Sequence, residues 1–427
     1  WLPVMLCCVF RQVFTLLGTI IIGRGVGMQA WASFGAADWI NCRVLWGLQG
    51  FTQGFAILTA QEFGAGAYDR LRRVLAMIVK LSCWFGIAVT IISLLLVRPL
   101  LTLLHTDPAV FGGAQTYLYV QFGGSLIIIA YNMAAAVLRC LGDSRTPLFA
   151  IIAASFANIA LDLLFVMGFG WGIFGASFAT VLAQLIAFLL CLRSLRRLPF
   201  VQMTKADWKT DPAILLHLCR LGIPTGLQMS MITLGGMVLQ SVLNGFGVVF
   251  VAGYTAANKL YGILESASVA FGYAMTAYMG QNRGARIDAG IRAVLALSAG
   301  FTAAIVTAML LAGKPLLGLF LSTEEAGAAV ALAVAYQYLM VLMAFLFALF
   351  MLQAYRSSLQ GLGEMTVPTL SGFAEMLMRM GAALVLPVFI GKSGVFFAEG
   401  AAWVCAAALN LVWYYIRIGK IKRDMLQ

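Results

Sequence analysis

The stretch NIALDLLFVMGFGWGIFGASFAT, residues 158–180, holds one carboxylate, Asp162, with apolar residues on nearly every side. A charged, unpaired carboxylate at the depth of a bilayer costs from about 2.5 kcal/mol upward. Such a group has to be paired, neutralised or turned toward a wet cavity. A carboxyl group that takes up a proton from one side and releases it on the other is what proton-driven exchange needs. Asn158 precedes Asp162 by four residues and shares its helical face. Its amide can donate to the carboxylate or offer its carbonyl oxygen to a cation. Thr180 falls on the following helix, which returns antiparallel after the turn GFGWG. Carboxylate, amide oxygen and hydroxyl are the oxygen ligands that hard cations accept, so these three residues would hold a metal ion only if sodium were the coupling ion. The competing reading is a polar residue that hydrogen-bonds between packed helices. From the residues alone both stay open.

The elements that must position these groups are membrane spans. The chain has 427 residues, 62% hydrophobic and 10% charged, against about 25% charged in soluble domains. Apolar stretches long enough to cross hydrocarbon, which takes about 20 residues, recur at 1–23, 35–61, 74–97, 113–140, 147–168, 171–192, 217–245, 249–280, 290–313, 329–360, 367–390 and 395–418. The expected fold is an all-α integral membrane protein of twelve transmembrane helices. Residues 1–23 read as a true span rather than a cleaved signal, since no polar-flanked cleavage site follows. Arg70, Arg72, Arg73, Arg139, Arg145, Arg193, Arg196, Arg197, Lys420 and Lys422 are among the cations on alternate loops and the C-terminus, while the other loops carry chiefly Arg24, Arg98, Lys314 and Lys392 beside Asp107, Glu324, Glu325 and Glu399. The positive-inside tendency then makes both termini cytoplasmic in a multi-pass protein of the cell membrane. The net charge of +12 is spread over separate loops, which argues against nucleic acid as a partner. Eight scattered cysteines and two histidines, His105 and His217, show no zinc spacing. The Gly-Lys-Ser at 391–393 lacks the leading glycine of a phosphate-cradling loop, Leu386 standing in its place, so neither a cofactor nor ATP is expected.

Self-comparison divides the chain in two. LRCLGDSRTP at 138–147 matches LQGLGEMTVP at 359–368, and AQEFGAGAYDRLRRV at 60–74 matches GQNRGARIDAGIRAV at 280–294. GVG at 25–27 with AAD at 36–38 matches GFG at 245–247 with AAN at 256–258, so all three pairs lie 220 or 221 residues apart. A constant offset implies two homologous six-helix lobes, 1–193 and 217–427, joined by a cytoplasmic linker at 194–216. An even number of helices per half gives both the same orientation, related by a pseudo-two-fold axis along the membrane normal.

The same segments, LRCLGDSRTP with NIALDLLF and GASFATVLAQ, AQEFGAGAYDRLRR, GTIIIGRGVG, and then GIPTGLQ, AANKL and GQNRGA, resemble the prokaryotic multidrug and toxic compound extrusion family in order along both halves. The resemblance implies a transporter that expels small organic compounds, cationic or amphipathic, in exchange for protons or sodium ions. It also implies that Asn158, Asp162 and Thr180 belong to the cation site of the N-terminal lobe, with Tyr117 near the acid. A proline such as Pro3 or Pro224, read as beginning the first helix of each half, bends that helix in the family. A lipid-linked sugar flippase of the same superfamily is the main alternative, and a channel or receptor fits the paired halves less well. The expected assembly is a monomer in the lipid bilayer.

The sequence departs from the family pattern in its first helix. Gly18 stands where the family usually has an acid, and Arg11 where it has an uncharged amide. Arg11 is therefore expected either to pair with Asp162 at the cation and substrate site or to snorkel toward the interface. Further charges expected inside spans are Asp38, Arg43, Lys80, Lys259, Glu265, Glu375 and Arg379. Of these, Glu375 and Arg379 are spaced for a structural ion pair. By the 221-residue offset Asn158 corresponds to Arg379 and Asp162 to Ala383, so the second half lacks the equivalent acid.

Overall fold

The computed structural model describes residues 28–103, 106, 108–282, 287–318 and 327–426, and these are almost wholly helical. The chain forms two compact units that divide between Gly226 and Leu227. The N-terminal unit contains α1 (Met28–Gly64), α2 (Tyr68–Leu103), α3 (Pro108–Gly123), α4 (Ser125–Cys140), α5 (Arg145–Asp162), α6 (Gly172–Arg196) and the start of α7 (Pro212–Asn244). The C-terminal unit contains the rest of α7 with α8 (Val248–Gln281), α9 (Ile287–Gly318), α10 (Ala328–Gly361), α11 (Thr366–Ile390) and α12 (Phe397–Leu426). The expected span at 1–23, with Pro3, Arg11 and Gly18, lies outside the described residues.

Among the described residues eight helices are long and apolar enough to cross a membrane, or nine if the pair α3 and α4 is one span bent by 48°. The expected span at 113–140 is that pair. It breaks at the adjacent glycines 123 and 124, where Ser125 Oγ donates to the carbonyl of Phe122 at 2.7 Å. The remaining two long helices, α1 and α8, run 37 and 34 residues, enough at 1.5 Å per residue to pass about 30 Å of hydrocarbon. Their hydropathy is lowered by polar residues kept inside the bundles, among them Asn41, Thr52, Thr59, Ser266 and Ser268. α1 packs on α3 and α4, and α8 lies along α10.

The internal repeat is visible in backbone geometry. Gly142 and Gly363, at the same place in the repeated turn, take φ of 90° and 86°, a left-handed conformation that closes a helix without a Cβ penalty. In the first turn Asp143 N donates to Leu138 O and in the second Glu364 N donates to Leu359 O, both at 2.9 Å. The acid then accepts from the amide two residues on, Arg145 N at 3.1 Å and Thr366 N at 3.3 Å.

Two expectations are corrected. Pro224 does not begin its helix but lies inside α7. The start is set by Asp211, whose Oδ1 accepts from Ala213 N at 3.0 Å and Ile214 N at 3.2 Å, with Pro212 in the first turn where its missing N–H costs nothing. Around the interior proline Thr225 Oγ1 donates to Leu221 O at 2.7 Å. There α1 crosses α7 so closely that a Cβ on Gly54 would stand 2.6 Å from Gly222 Cα, and one on Gly222 would strike the Phe55 ring. Lys80 is not a buried charge either: its Nζ donates to Trp208 O at 2.5 Å and Thr210 Oγ1 at 3.0 Å. Its partners belong to the segment after α6, where short 3-10 turns at Pro199–Val201 and Lys205–Trp208 pack on α2.

Candidate functional site

Asp162 is the last residue of α5 before the winding loosens to a π-helical turn, Leu163–Gly168. Such turns are uncommon and recur at functional sites. The side chain is 2% exposed, and its Oδ1 has no hydrogen-bond partner among the described residues. One turn earlier Asn158 Nδ2 is buried and equally unpartnered. Thr180, half-buried on α6, donates to the Ala176 carbonyl of its own helix at 3.1 Å. α5 and α6 pack together through Ile151 and Ala154 on one side and Ala183, Ala187 and Cys191 on the other. Continued by helical spacing, that stripe passes through Asn158 and Asp162 on α5 and Thr180 on α6. Two of the three expected ligands are thus one turn apart, and the third is on the same packed face of the neighbouring helix.

Tyr117 sits on α3, 6% exposed, in a cluster with Ala37, Ile40 and Leu101. Its hydroxyl accepts from Asn41 Nδ2 of α1 at 3.2 Å. Arg11 and Pro3 fall outside the described residues, as do the side chains of Asp38 and Arg43. The sequence reading missed three amides in this unit. Asn41 Oδ1, Gln53 Nε2 and Gln184 Oε1 are buried without partners among the described residues. Gln184 lies four residues beyond Thr180 on one face of α6. A lone amide carries no charge signal, but its recurrence at the spacing of Thr180 was there to be read. An amide offers oxygen or nitrogen by rotation, so these groups can serve a cation, a protonated carboxyl group or a polar drug atom. Among the described residues no group of three or more His, Cys, Asp or Glu side chains is placed to hold a metal ion.

The C-terminal unit answers its buried charges internally. Glu375 Oε1 accepts from Arg379 at 3.0 Å, the expected pair, and its Oε2 accepts from Arg356 at 2.6 Å. Arg379 also reaches Glu399 at 2.8 Å and donates to Ile232 O at 2.9 Å. Glu399, counted in the sequence among loop charges, is instead in the first turn of α12 and closes this chain of ion pairs. Glu265 is half-buried on α8, one turn after the buried Tyr261.

The MatE family model matches residues 3–164 and again 224–385. This chain belongs to the MatE family. The two matches start and end 221 residues apart, which is the offset of the repeat. The chain is 34% identical over 290 residues to the Probable multidrug resistance protein YpnP of Bacillus subtilis, covering 66% of this chain and 63% of that one. The matched stretch is thus less than two thirds of that relative. A second Bacillus subtilis relative, the Probable multidrug resistance protein YoeA, is 26% identical over 99% of this chain and 93% of its own length. The fold matches that of a MOP superfamily transporter from Pyrococcus furiosus, described as having a binding pocket of reverse polarity. The TM-score is 0.90 at 23% identity, over 99% of this chain and 95% of that one. A structure described as MATE in the bent conformation matches with a TM-score of 0.88 at 21% identity, over 100% and 95%. This MatE protein is therefore a multi-pass membrane transporter of the multidrug efflux family and not an enzyme.

Proposed function

We propose that the protein is a secondary antiporter that exports cationic or amphipathic organic compounds in exchange for protons or sodium ions by alternating access. The observation that carries this reading is the buried Asp162, with Oδ1 unpartnered one turn from the unpartnered amide of Asn158. A carboxyl group held this way is open to a proton or, with Asn158 and Thr180 as further oxygen ligands, to sodium. The substrate class follows the names of the relatives, multidrug resistance and export proteins. In this reading Arg11 and Tyr117 border the same site, lobes 1–193 and 217–427 move about the linker 194–216, both termini are cytoplasmic in the cell membrane, and the working unit is a monomer. The flippase alternative relied on Arg11 and Arg379 as a basic groove, and the structure engages Arg379 with two carboxylates and a carbonyl.

The test is efflux of a fluorescent cationic drug from proteoliposomes under an imposed proton gradient and, separately, an imposed sodium gradient. One gradient is expected to drive export by the wild type. Asp162→Asn keeps shape and hydrogen bonding but can neither release a proton nor offer a charge. It is expected to insert and fold while efflux falls to the rate of protein-free vesicles. Undiminished gradient-driven efflux by the variant overturns the assignment.

A further inference from the structure

A second cavity, sharing no residue with the Asp162 site, opens in the N-terminal unit between α2, α4, α6 and the segment that follows α6. It measures about 470 Å³, within the range of about 300–1,000 Å³ typical of ligand pockets. Its walls are apolar, built by Ile78 and Val79 of α2, Met133 of α4 and Phe188 of α6, and closed on one side by Trp208. Val79 is 41% exposed, so this wall meets whatever surrounds the bundle, which for a membrane-spanning chain is lipid. Apart from the Ser82 hydroxyl and the Cys83 thiol on α2, the polar lining is at the end near the linker, where Arg196 and Gln202 join it.

The charged residue of the lining is Arg196. Arg196 is exposed in the last turn of α6 beside exposed Arg193 and Arg197, and it has no ion pair among the described residues. Lys80 presents a second cation against the backbone of Trp208. The acid in this segment, Asp207, is turned to Thr204 and Arg72 and does not line the cavity. An apolar slot ending in one cation without an ion pair and a tryptophan has the polarity of one lipid molecule. An acyl chain fits the slot, an anionic headgroup meets Arg196, and an indole sits at the headgroup level as tryptophans do at membrane interfaces.

We propose that this cavity is a binding site for an anionic phospholipid, with one acyl chain between α2, α4 and α6 and the phosphate at Arg196. Because Val201, Gln202, Met203 and Trp208 form part of the lining, a bound lipid ties residues 199–208 to the bundle. The occupant is a resident lipid of the N-terminal unit.

The experiment uses purified full-length protein, delipidated in a neutral detergent, with thermal unfolding and native mass spectrometry as readouts. Phosphatidylglycerol, phosphatidylcholine and chain-free glycerol phosphate are titrated in turn. Phosphatidylglycerol is expected to raise the unfolding temperature and to remain bound through mass analysis, with an affinity about tenfold above that of phosphatidylcholine, while glycerol phosphate does nothing. Arg196→Gln, at an exposed position, is expected to fold and to bind both lipids alike. Val79→Trp, which fills the slot from its exposed edge, is expected to lose the bound lipid. Equal binding of the two lipids by the wild type overturns the proposal. So does a lipid preference that survives Arg196→Gln, or lipid retention by Val79→Trp.

Discussion

Among the described residues of the N-terminal unit, Asn41, Gln53, Asn158, Asp162 and Gln184 each bury an amide or carboxyl atom with no partner. Each such atom costs about 1–3 kcal/mol in desolvation, so five of them mark a region built to be filled by water, an ion or a substrate rather than by protein. This separates a site residue from a packing residue. Gln184→Leu removes an unsatisfied oxygen, so its thermal unfolding temperature is expected to hold or rise, while gradient-driven efflux falls. If stability drops and efflux is kept, Gln184 is a packing residue. The C-terminal unit also buries an unpartnered amide oxygen, Asn410 Oδ1, but it pairs its buried charges: Arg379 is 5% exposed and bound to Glu375 and Glu399. Arg379→Met leaves Glu399 without its cation and Glu375 with Arg356 alone, and is expected to lower stability by about 3 kcal/mol, measured by denaturation in detergent. Asp162 and the Glu375–Arg379 pair were legible in the sequence because charges in apolar runs announce themselves at helical spacing. Gln53 was not, because a neutral amide in a span looks like any polar residue, and Gln184 was marked only by its spacing from Thr180. The link to Glu399 was hidden by its distance along the chain.

At the scale of elements, hydropathy located the spans from α1 onward. It could not show that 113–140 bends at a glycine pair, because the bend leaves the run of apolar residues unbroken. Nor did it give the order of the linker, whose polar composition reads as loop while its side chains hold a fixed arrangement on α2. The Thr204 amide donates to Asp207 Oδ2 at 2.7 Å, as does the Thr204 hydroxyl. That backbone hydrogen bond, with help from the Thr204 hydroxyl, Arg72 and Arg73 and against the effect of burial, holds the Asp207 carboxyl below its ordinary value of 3.8. A depressed carboxyl stabilises the folded arrangement above its unfolded value, and the contribution is lost as pH falls through the lower folded one. The linker is therefore expected to stay docked from neutral pH down to about 4 and to loosen below it. Amide hydrogen exchange at residues 204–210, corrected for intrinsic rates, checks this. Asp207→Asn should exchange faster at neutral pH and lose the acid-dependent step; a wild-type profile in the variant would sink the argument.

For the whole molecule, the repeat is a duplication of backbone geometry without a duplication of chemistry. Gly142 and Gly363 turn alike, and the family model fits each half separately. Yet Asp162 corresponds to Ala383, and Asn158 to Arg379, which is locked in ion pairs. One unit keeps an unpartnered carboxyl group at Asp162, while the other pairs most of its buried charge, so ion binding is expected in the first and a firmer framework in the second. The duplication also fixes a prediction about the membrane. Six spans per half return the chain to its starting side, so equivalent turns of the two halves must face the same compartment. Asp69, in the first turn of α2, and Ala289, in the first turn of α9, are equivalent by the 220-residue offset and both exposed. In a background with all eight native cysteines replaced by serine or alanine, Asp69→Cys and Ala289→Cys are expected to react with a membrane-impermeant maleimide in inverted vesicles and to resist it in intact cells. Labelling of the two positions from opposite sides would mean an odd number of crossings between them, which breaks the six-plus-six arrangement. Labelling of both from outside would keep that arrangement and reverse its orientation, placing the cation-rich loops and the linker on the external face.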